Sequence, residues 1–455
     1  MLWGETMQVK QIIIVGLILL LSGTGAQAAE VQRVTLREAI TRGLERNNEA
    51  RAARFQAESV RSGATAASLH YLPSVTVEEA WSRSDLPVST FMMKLNQGRF
   101  TNQDFDAAKL NNPAPVSDFR TVVSMEQPIL VPAAWAAHKV AQRGAERQEA
   151  MSEQARQQVA FQIFQLYLEV QKAYAQLQAS LKALDEARES RRQAAVRTAA
   201  GLGLKSDELR AATQLAAMKQ HNISAANNLT LARMQLALAT GGQPGDELDA
   251  AEPVQLKRPE RDLNGLIGTA QQERRDLRAS ERGKEQADAT LLQARSGFLP
   301  TVGAVGAWQM NDKNSAFGRG HDAWMIGVSL RWNIFDGFRT WHGNGQAQAS
   351  RAAAVEQLEQ ARKGVSYQVH EAWLRRVEAE KRREVASSAV AAADEATRLL
   401  AKRFDNALAS MVELLDAQSA LNQARANLVE SDANLMLATG RLYHSAGIFL
   451  KEVQK

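Results

Sequence analysis

The stretches "YLPSV" at 71–75 and "FLPTV" at 298–302 are nearly the same five residues, written 227 positions apart. In each copy a helical pattern leads to the Leu-Pro, and an alternating apolar pattern follows. A residue that precedes proline is pushed towards extended geometry, so Pro73 and Pro300 should each end a helix and open a strand. This repeated junction indicates that the chain contains the same structural unit twice.

The match between the two halves extends well beyond the junctions. At an offset of 227, Leu36 meets Leu263 and Trp81 meets Trp308, whereas Gly241 meets Gly447 at an offset of 206. The first copy therefore carries about 22 extra residues, and an internal repeat of this length decides the fold class. The predicted plan is a signal peptide at 1–28, a first repeat at 29–241 with a long loop at 84–119, a linker at 242–262, a second repeat at 263–447 and a C-terminal tail at 448–455.

The N-terminus has the features of a secretory signal peptide. Lys10 precedes the apolar run 12–21, and the small-residue site Ala26-Gln27-Ala28 follows it. The apolar run is too short to span a bilayer, so we expect cleavage after Ala28, with Met1 or Met7 as the start. The chain has no cysteine, which excludes disulfides and cysteine-based metal sites.

Composition favours long helices and argues against nucleic-acid binding. Aromatic residues make up 6% of the chain and charged residues 23%, and Ala, Gln, Arg, Glu and Leu dominate most of the sequence, a mixture that favours long helices. The net charge of +5 is small for 55 basic and 50 acidic residues, and no basic block is interleaved with aromatic residues. We therefore expect no nucleic-acid partner.

Four segments alternate in the manner of strands, at about 74–83, 119–126, 301–310 and 324–334. In the last, Trp324, Ile326, Val328, Leu330, Trp332 and Ile334 alternate with Met325, Gly327, Ser329, Arg331 and Asn333. One apolar face and one small or polar face are typical of a transmembrane barrel strand, although a small soluble sandwich is the alternative. Four strands cannot close a barrel, which needs about eight, so a barrel would require several chains; three would supply 12 strands.

The remaining segments are helical. Thr35 with Glu38 predicts a capping box and Asp262 a second N-cap, for helices that run to about residues 69 and 296. The segments 134–200 and 343–405 predict helices of about 100 Å, too long for one globular domain. Turns at 199–207 and 405–411 lead into returning helices. Their Leu/Ala stripes, with steps of three and four, are typical of coiled-coil packing.

These features resemble the outer-membrane efflux protein family, the TolC-like channels. The resemblance rests on the signal peptide, the duplication, both Leu-Pro junctions, "WNIFDGFR" (332–339), "ASMVELLDAQSAL" (409–421) and the glycines at 241 and 447. It implies a mainly α-helical fold with a small β part, in which a homotrimer forms a 12-stranded barrel in outer-membrane lipid and a helical tunnel in the periplasm. It also implies a Gram-negative outer-membrane location, with a periplasmic adaptor and an inner-membrane pump as partners.

The resemblance implies a gate at the hairpin tips. The family's acidic gate positions fall on Glu413 and Asp416, with Asp207 as a weaker candidate, although an ordinary solvated helix face would carry the same residues. Ala409 stands where the family can have a basic tether. The candidates for adaptor docking at the tips are Gly201, Gly203, Leu204, Asn406, Leu408 and Ser410. The candidates for the helix–strand junctions are Pro73, Pro300, Asp336 and Gly337.

No catalytic or cofactor motif accompanies these features. His370-Glu371 lacks the second histidine of a zinc-protease motif, since position 374 is Leu, and the glycines near 201 do not follow a strand. We therefore expect no enzyme activity, no cofactor and no metal site. Two functions remain: an export channel for drugs, metals or proteins, or a periplasmic coiled-coil adaptor or scaffold.

Overall fold

The computed structural model describes residues 31–201, 203–406 and 408–453, so the predicted signal peptide at 1–28 lies outside the described residues. The chain divides into two compact units. Unit 1 takes the chain up to Ala52, Ala155–Glu273 and the chain from Val365 on, and unit 2 takes Ala53–Gln154 and Arg274–Gly364. Each unit combines stretches from both halves of the sequence.

The elements are numbered in chain order. The strands are β1 (Gln32–Val34), β2 (Ser74–Ser84), β3 (Val116–Leu130), β4 (Leu248–Ala250), β5 (Thr301–Asp312) and β6 (His321–Arg331). The helices are α1 (Leu36–Arg46), α2 (Asn48–Ser68), α3 (Pro87–Asn96), α4 (Ala107–Asn111), α5 (Pro132–Ala199), α6 (Lys205–Ala239), α7 (Leu263–Glu273), α8 (Arg275–Ser296), α9 (Arg339–Asp405), α10 (Met411–Ser445) and α11 (Phe449–Val453).

Unit 1 contains a two-stranded parallel sheet that the sequence did not predict. β1 pairs with β4, and the Ala251 N–H extends the pairing to the Val34 carbonyl at 2.9 Å. The prediction of only four strands is therefore wrong, because β4 forms inside the predicted linker. Val34 and Leu248 are both buried in the adjoining core, which stabilises strands too short to be recognised by alternation.

The predicted helix caps are present, but each predicted first helix is interrupted. Thr35 and Glu38 form the capping box of α1, and the Gly265 N–H donates to Asp262 Oδ1 at the start of α7. The prediction of one continuous helix to about 69 or 296 is wrong, because Asn47 and Arg274 are extended. Asn47 Oδ1 accepts from the Glu49 N–H, and its Nδ2 donates to the Ala239 carbonyl, so this break is fixed by a contact with α6.

The core of unit 1 surrounds the middle of α5. Phe164 and Tyr167 are fully buried there with Phe449 of α11. Tyr167 Oη lies 3.1 Å from the Val34 and Glu252 carbonyl oxygens, which ties α5 to both short strands. The segment predicted as a C-terminal tail thus contains a core residue.

The two returning helices bury most of the predicted stripe on α6 and part of it on α10, where Ala417, Leu428, Ser431, Leu435 and Ala438 are half-buried. Both helices end in the same way. Ala211, Leu215, Ala225, Leu229, Ala232, Leu236 and Ala239 are buried on α6, and Leu414, Leu421, Ala424 and Leu442 on α10. Gly241 and Gly447 follow the two helices with φ of 87° and 75°. The next N–H in each case bonds back to the last turn, which only a residue tolerant of positive φ allows.

Unit 2 is built on one antiparallel sheet in the order β2-β3-β5-β6. All four predicted strands are present, although the last ends at Arg331 rather than at 334. Pairing aligns side chains into two faces. The apolar face carries Val75, Val77, Trp81, Phe119, Val123, Met125, Trp308, Trp324, Ile326, Val328 and Leu330. The small-polar face carries Ser82, Asp118, Arg120, Ser124, Gly303, Ala307, Asn311, His321, Gly327 and Ser329, with Val122, Val305 and Met325 as its larger apolar members.

The segment predicted as a loop at 84–119 is structured. It contains α3, a 3₁₀ turn at Asn102–Phe105 and α4, and its ends belong to β2 and β3. Residues 85–115 are called the insertion below.

Across the described residues, none of the helices has an apolar run long enough to cross a membrane. Within the same ranges, no three acidic or histidine side chains are grouped in a way that could hold a metal ion.

Candidate functional site at the helical tips

The first tip, between α5 and α6, is shaped mainly by its backbone. Gly201 has φ of 72°, and the residue before α6 is Leu204, whose side chain makes no capping hydrogen bond. Thr198 Oγ1 lies 3.4 Å from the Leu204 carbonyl oxygen. Leu204 is mostly exposed, so this tip presents an apolar side chain to its surroundings.

The second tip, between α9 and α10, is shaped by its side chains. The Ser410 N–H donates to Glu413 Oε2 at 2.7 Å, and the Glu413 N–H donates to Ser410 Oγ at 3.3 Å, which is a capping box. Asn406 Nδ2 donates to the Lys402 carbonyl, and Arg403 Nη2 donates to the Leu408 carbonyl. Side-chain hydrogen bonds therefore stabilise both the end of α9 and the start of α10.

The predicted gate carboxylates occupy different surroundings. Hydrogen bonds from the Ser410 backbone and hydroxyl, together with the charge of Arg403, hold the pKa of Glu413 below its ordinary value. Asp416 lies one turn further along α10 on the same side and is exposed. Asp207 is half-buried in the first turn of α6. Glu413 thus stabilises its own helix start in addition to any role at a gate.

Apolar contacts bring the two tips together. Ala194, Ala211, Phe404, Met411 and Leu414 form one buried cluster that draws on all four helices of the two hairpins. Arg197 of α5 adds a polar link. Its Nη1 donates to the Phe404 carbonyl at 2.7 Å, and its guanidinium lies 4.4 Å from the centre of the Phe404 ring. Sequence reasoning missed Arg197, because its partner is more than 200 residues away.

Further links join the hairpins deeper along the helices, away from the tips. Arg425 of α10 donates to Glu186 of α5 at 3.0 Å and to Asp394 of α9 at 3.0 Å. The Arg425 side chain is only 17% exposed and Glu186 is half-buried, so that ion pair is partly shielded from water, whereas Asp394 is 62% exposed. Ser190 Oγ also lies 3.1 Å from Gln418 Oε1. Ala409 offers no basic group at the tip, and these contacts hold the second hairpin to the first.

A polar stripe continues along α10 from the gate candidates. Glu413, Asp416, Gln423, Asn427, Glu430 and Asn434 are all exposed. Beside it, a groove of about 1210 Å³ lies between α9 and α10. The groove is lined by the last four of these residues and by basic side chains that include Arg375, Arg382 and Arg441.

The junction candidates lie in unit 2 and mark where helices give way to strands. Pro73 and Pro300 each immediately precede a strand. Asp336 Oδ2 accepts from the Thr340 hydroxyl at 2.5 Å and from the Thr340 N–H at 2.9 Å, and these two bonds lower the pKa of the Asp336 carboxyl. Gly337 and Phe338 both have positive φ, so the chain makes a tight turn immediately before α9.

Comparisons with a family model and with solved structures agree on one protein family. The family model for the outer membrane efflux protein matches residues 39–242 and 266–448. Among solved structures, the Campylobacter jejuni CmeC outer membrane channel superposes with a TM-score of 0.77 at 16% identity, covering 91% of this chain and 86% of that one. The Vibrio cholerae outer membrane protein VceC gives 0.75 at 19% identity, covering 90% and 96%.

The Neisseria gonorrhoeae MtrE outer membrane channel, solved in its open state, gives a TM-score of 0.75 at 20% identity, covering 91% of this chain and 89% of that one. The comparison with curated protein sequences gives no match. The fold is therefore mainly α-helical with few strands and is shared with these channels. The family model covers far more than half of the sequence, and the chain belongs to the outer membrane efflux protein family.

Proposed function

We propose that this protein is the outer-membrane exit duct of a tripartite efflux or type I secretion system. In this proposal it lies in the outer membrane of a Gram-negative bacterium, with a large periplasmic part. Substrate reaches it from an inner-membrane pump or transporter through a periplasmic adaptor. Family membership supports this proposal, as does the fold shared with CmeC and MtrE, both described as outer membrane channels.

The observation that carries the proposal is the exposed apolar face of the unit 2 sheet. Trp324 and Ile326 are each 75% exposed and Val328 is 71% exposed. Aligned apolar side chains of this size are unfavourable in water and are typical of a lipid-facing strand surface. The opposite face is mostly small and polar, which suits the lining of an aqueous duct.

The edges of this sheet support a homotrimer. β2 and β6 are its outer strands, each with one side unpaired within the described chain. Unpaired strand edges are unfavourable within lipid, so the sheet must close by joining others. Four strands from each of three chains would give a closed sheet of 12 strands, whereas four alone fall short of the roughly eight that closure needs.

The tips supply the entrance of the proposed duct. In a trimer, Glu413 and Asp416 would each occur three times around the axis, and carboxylate rings of this kind favour cations. The exposed tip residues, among them Leu204 and Leu408, would receive the adaptor. We also propose that the domain plan arose by duplication, with repeats at 29–241 and 263–447.

A periplasmic coiled-coil scaffold is the competing function, and the exposed apolar face argues against it. The purified protein in detergent should migrate as a heat-modifiable trimer, and it should fractionate with outer membranes. In a planar bilayer it should give discrete, cation-preferring conductance. A soluble monomer without conductance would contradict the proposed function.

A further inference from the structure

The insertion at 85–115 folds as a small unit of its own. Phe100 packs edge-to-face against Phe91 at 4.7 Å and against Phe105 at 5.1 Å between ring centres. Lys94 of α3 pairs with Asp104 of the 3₁₀ turn at 2.8 Å. An apolar cluster and an ion pair across its two halves give the insertion a defined shape, so it is not a solvated loop.

The insertion is attached to the sheet through the carboxyl group of Asp118 on β3. Gln97 Nε2 of the insertion donates to Asp118 Oδ1 at 2.8 Å, and Asn311 Nδ2 of β5 donates to Asp118 Oδ2 at 2.8 Å. These three residues are each at least 95% buried. Gln97 Nε2 also donates to the Ser117 carbonyl at 2.8 Å, so the insertion is bonded to the backbone of β3 as well. The hydrogen-bonded residues Gln97, Asp118 and Asn311 are called the anchor below.

The anchor lies on the small-polar face of the sheet. Asp118 shares that face with Arg120, and Arg120 pairs with Asn311 in the register of β3 and β5. Gly98 approaches His321 of β6 so closely that a Cβ there would come within 2.8 Å of the imidazole ring. The insertion therefore crosses the same face over three strands. It covers the end of the sheet that is farther from Pro73, because β2 runs from that junction to Ser84.

We propose that the insertion is a restriction at the outer mouth of the duct, folded inward over the lumen face and held there by the Gln97–Asp118–Asn311 anchor. The inference rests on the proposed function, which makes the small-polar face the lumen. Three insertions, one from each chain, would narrow the exit together. The insertion then sets the largest substrate that leaves the duct, and release of the anchor opens the mouth.

The anchor makes opening reversible but unfavourable. Swinging the insertion away breaks the bonds from Gln97 to the Asp118 carboxyl group and to the Ser117 carbonyl, and water must replace them, whereas the bond from Asn311 stays within the sheet. Removing the Gln97 amide breaks the link between insertion and sheet and leaves the Asn311 bond in place. The insertion retains its own aromatic cluster in that variant, so the change affects attachment more than folding.

The absence of cysteine from the chain allows a direct test with the full-length protein in intact cells. A reporter Ser329→Cys lies on the small-polar face below the insertion, and Val328→Cys lies on the apolar face as its control. Both are labelled from outside with a small charged maleimide and with a maleimide carried on a large polyethylene glycol. Each reporter is placed in three further backgrounds. The first is Gln97→Ala, the second is Gln103→Ala as the matched exposed control, and in the third an Asn-Gly turn replaces residues 85–115.

We expect the small reagent to label Ser329→Cys at similar rates in all backgrounds. The large reagent should react roughly tenfold faster or more in Gln97→Ala, as expected for a lost hydrogen bond to a charged group, and faster still with the Asn-Gly turn. Gln103→Ala should react with the large reagent at the rate of the parent.

Equal rates of the large reagent in all backgrounds would overturn the proposed restriction and leave the proposed channel intact. Failure of even the small reagent in every background would contradict the channel itself, and the restriction with it.

Discussion

The two hairpin tips occupy matching places in the chain but are stabilised differently. The second tip closes with a capping box between Ser410 and Glu413. The first tip has Leu204 at the corresponding position and depends on a glycine turn. The first tip is held in addition by Arg197, which bonds to the backbone of the second. One tip is thus stabilised from within and the other by its neighbour.

This difference suggests how an entrance at the tips could open. A movement that separates the hairpins would remove the support of the first tip while the second keeps its cap. Opening should therefore be controlled by contacts between hairpins and only tuned by contacts within a tip.

The largest effect is expected from Arg425→Met, which breaks the links from α10 to Glu186 and Asp394. Loss of the charge-assisted bond to Glu186, whose Oε2 is already buried without a partner, should cost about 2 kcal/mol, and the bond to the exposed Asp394 should add little. Opening should become roughly thirtyfold more frequent, measured as faster amide hydrogen exchange at both tips and higher conductance. Arg398→Met is the control, because Arg398 pairs with Glu395 on its own helix. Equal exchange in the two variants would show that Arg425 does not hold the hairpins together.

A smaller effect is expected from Arg197→Met, which keeps an apolar chain against Phe404 but removes the hydrogen bond to its carbonyl. The loss should be about 1.5 kcal/mol, and exchange should rise more at 199–205 than at 405–411. Arg192→Met, at an exposed position, serves as the control. A rise confined to the second tip would contradict the dependence of the first tip on Arg197.

The caps can be exchanged between the tips. Ser410→Ala should destabilise the start of α10 by about 1 kcal/mol, and Leu204→Ser should stabilise the start of α6 by a similar amount. Protection of the first-turn amides measures both changes. Ser206→Ala provides the matched substitution on the first tip, outside the capping position. If Ser410→Ala behaves like Ser206→Ala, the capping box does not stabilise the second tip.

The smallest effect is a pH dependence of the second tip alone. The folded state lowers the pKa of Glu413 below its ordinary value of 4.5, so the cap is fully present above that pH. Its contribution is lost as pH falls through the lowered value. Exchange at 410–413, corrected for intrinsic rates, should rise on acidification in the parent and stay level in Glu413→Gln. The same acid response in both proteins would assign it to another group.

Much of the architecture was predictable because its signals are local. The Leu-Pro junctions, the Thr35–Glu38 box and the Leu/Ala stripes depend on residues within a few positions of one another. The break at Asn47 was missed because it depends on the Ala239 carbonyl, about 190 residues away. Arg197 and Arg425 were missed for the same reason, since the register between hairpins is set only by folding.

The sequence of the insertion does contain local patterns that indicate its helices. Pro87 stands at the first turn of α3, a position that proline favours, and Thr101 with Asp104 has the spacing of a capping box. The attachment of the insertion to Asp118 depends on strand register, which the sequence does not specify.

The most direct test of the account is the conductance of the purified trimer in a planar bilayer, compared with a Glu413→Gln/Asp416→Asn double variant. We expect discrete conductance that prefers cations in the parent, and a clear loss of that preference in the double variant without loss of the trimer. A trimer that conducts with the same selectivity after both substitutions would contradict the acidic entrance. A purified protein that forms no channel at all would contradict the proposed function.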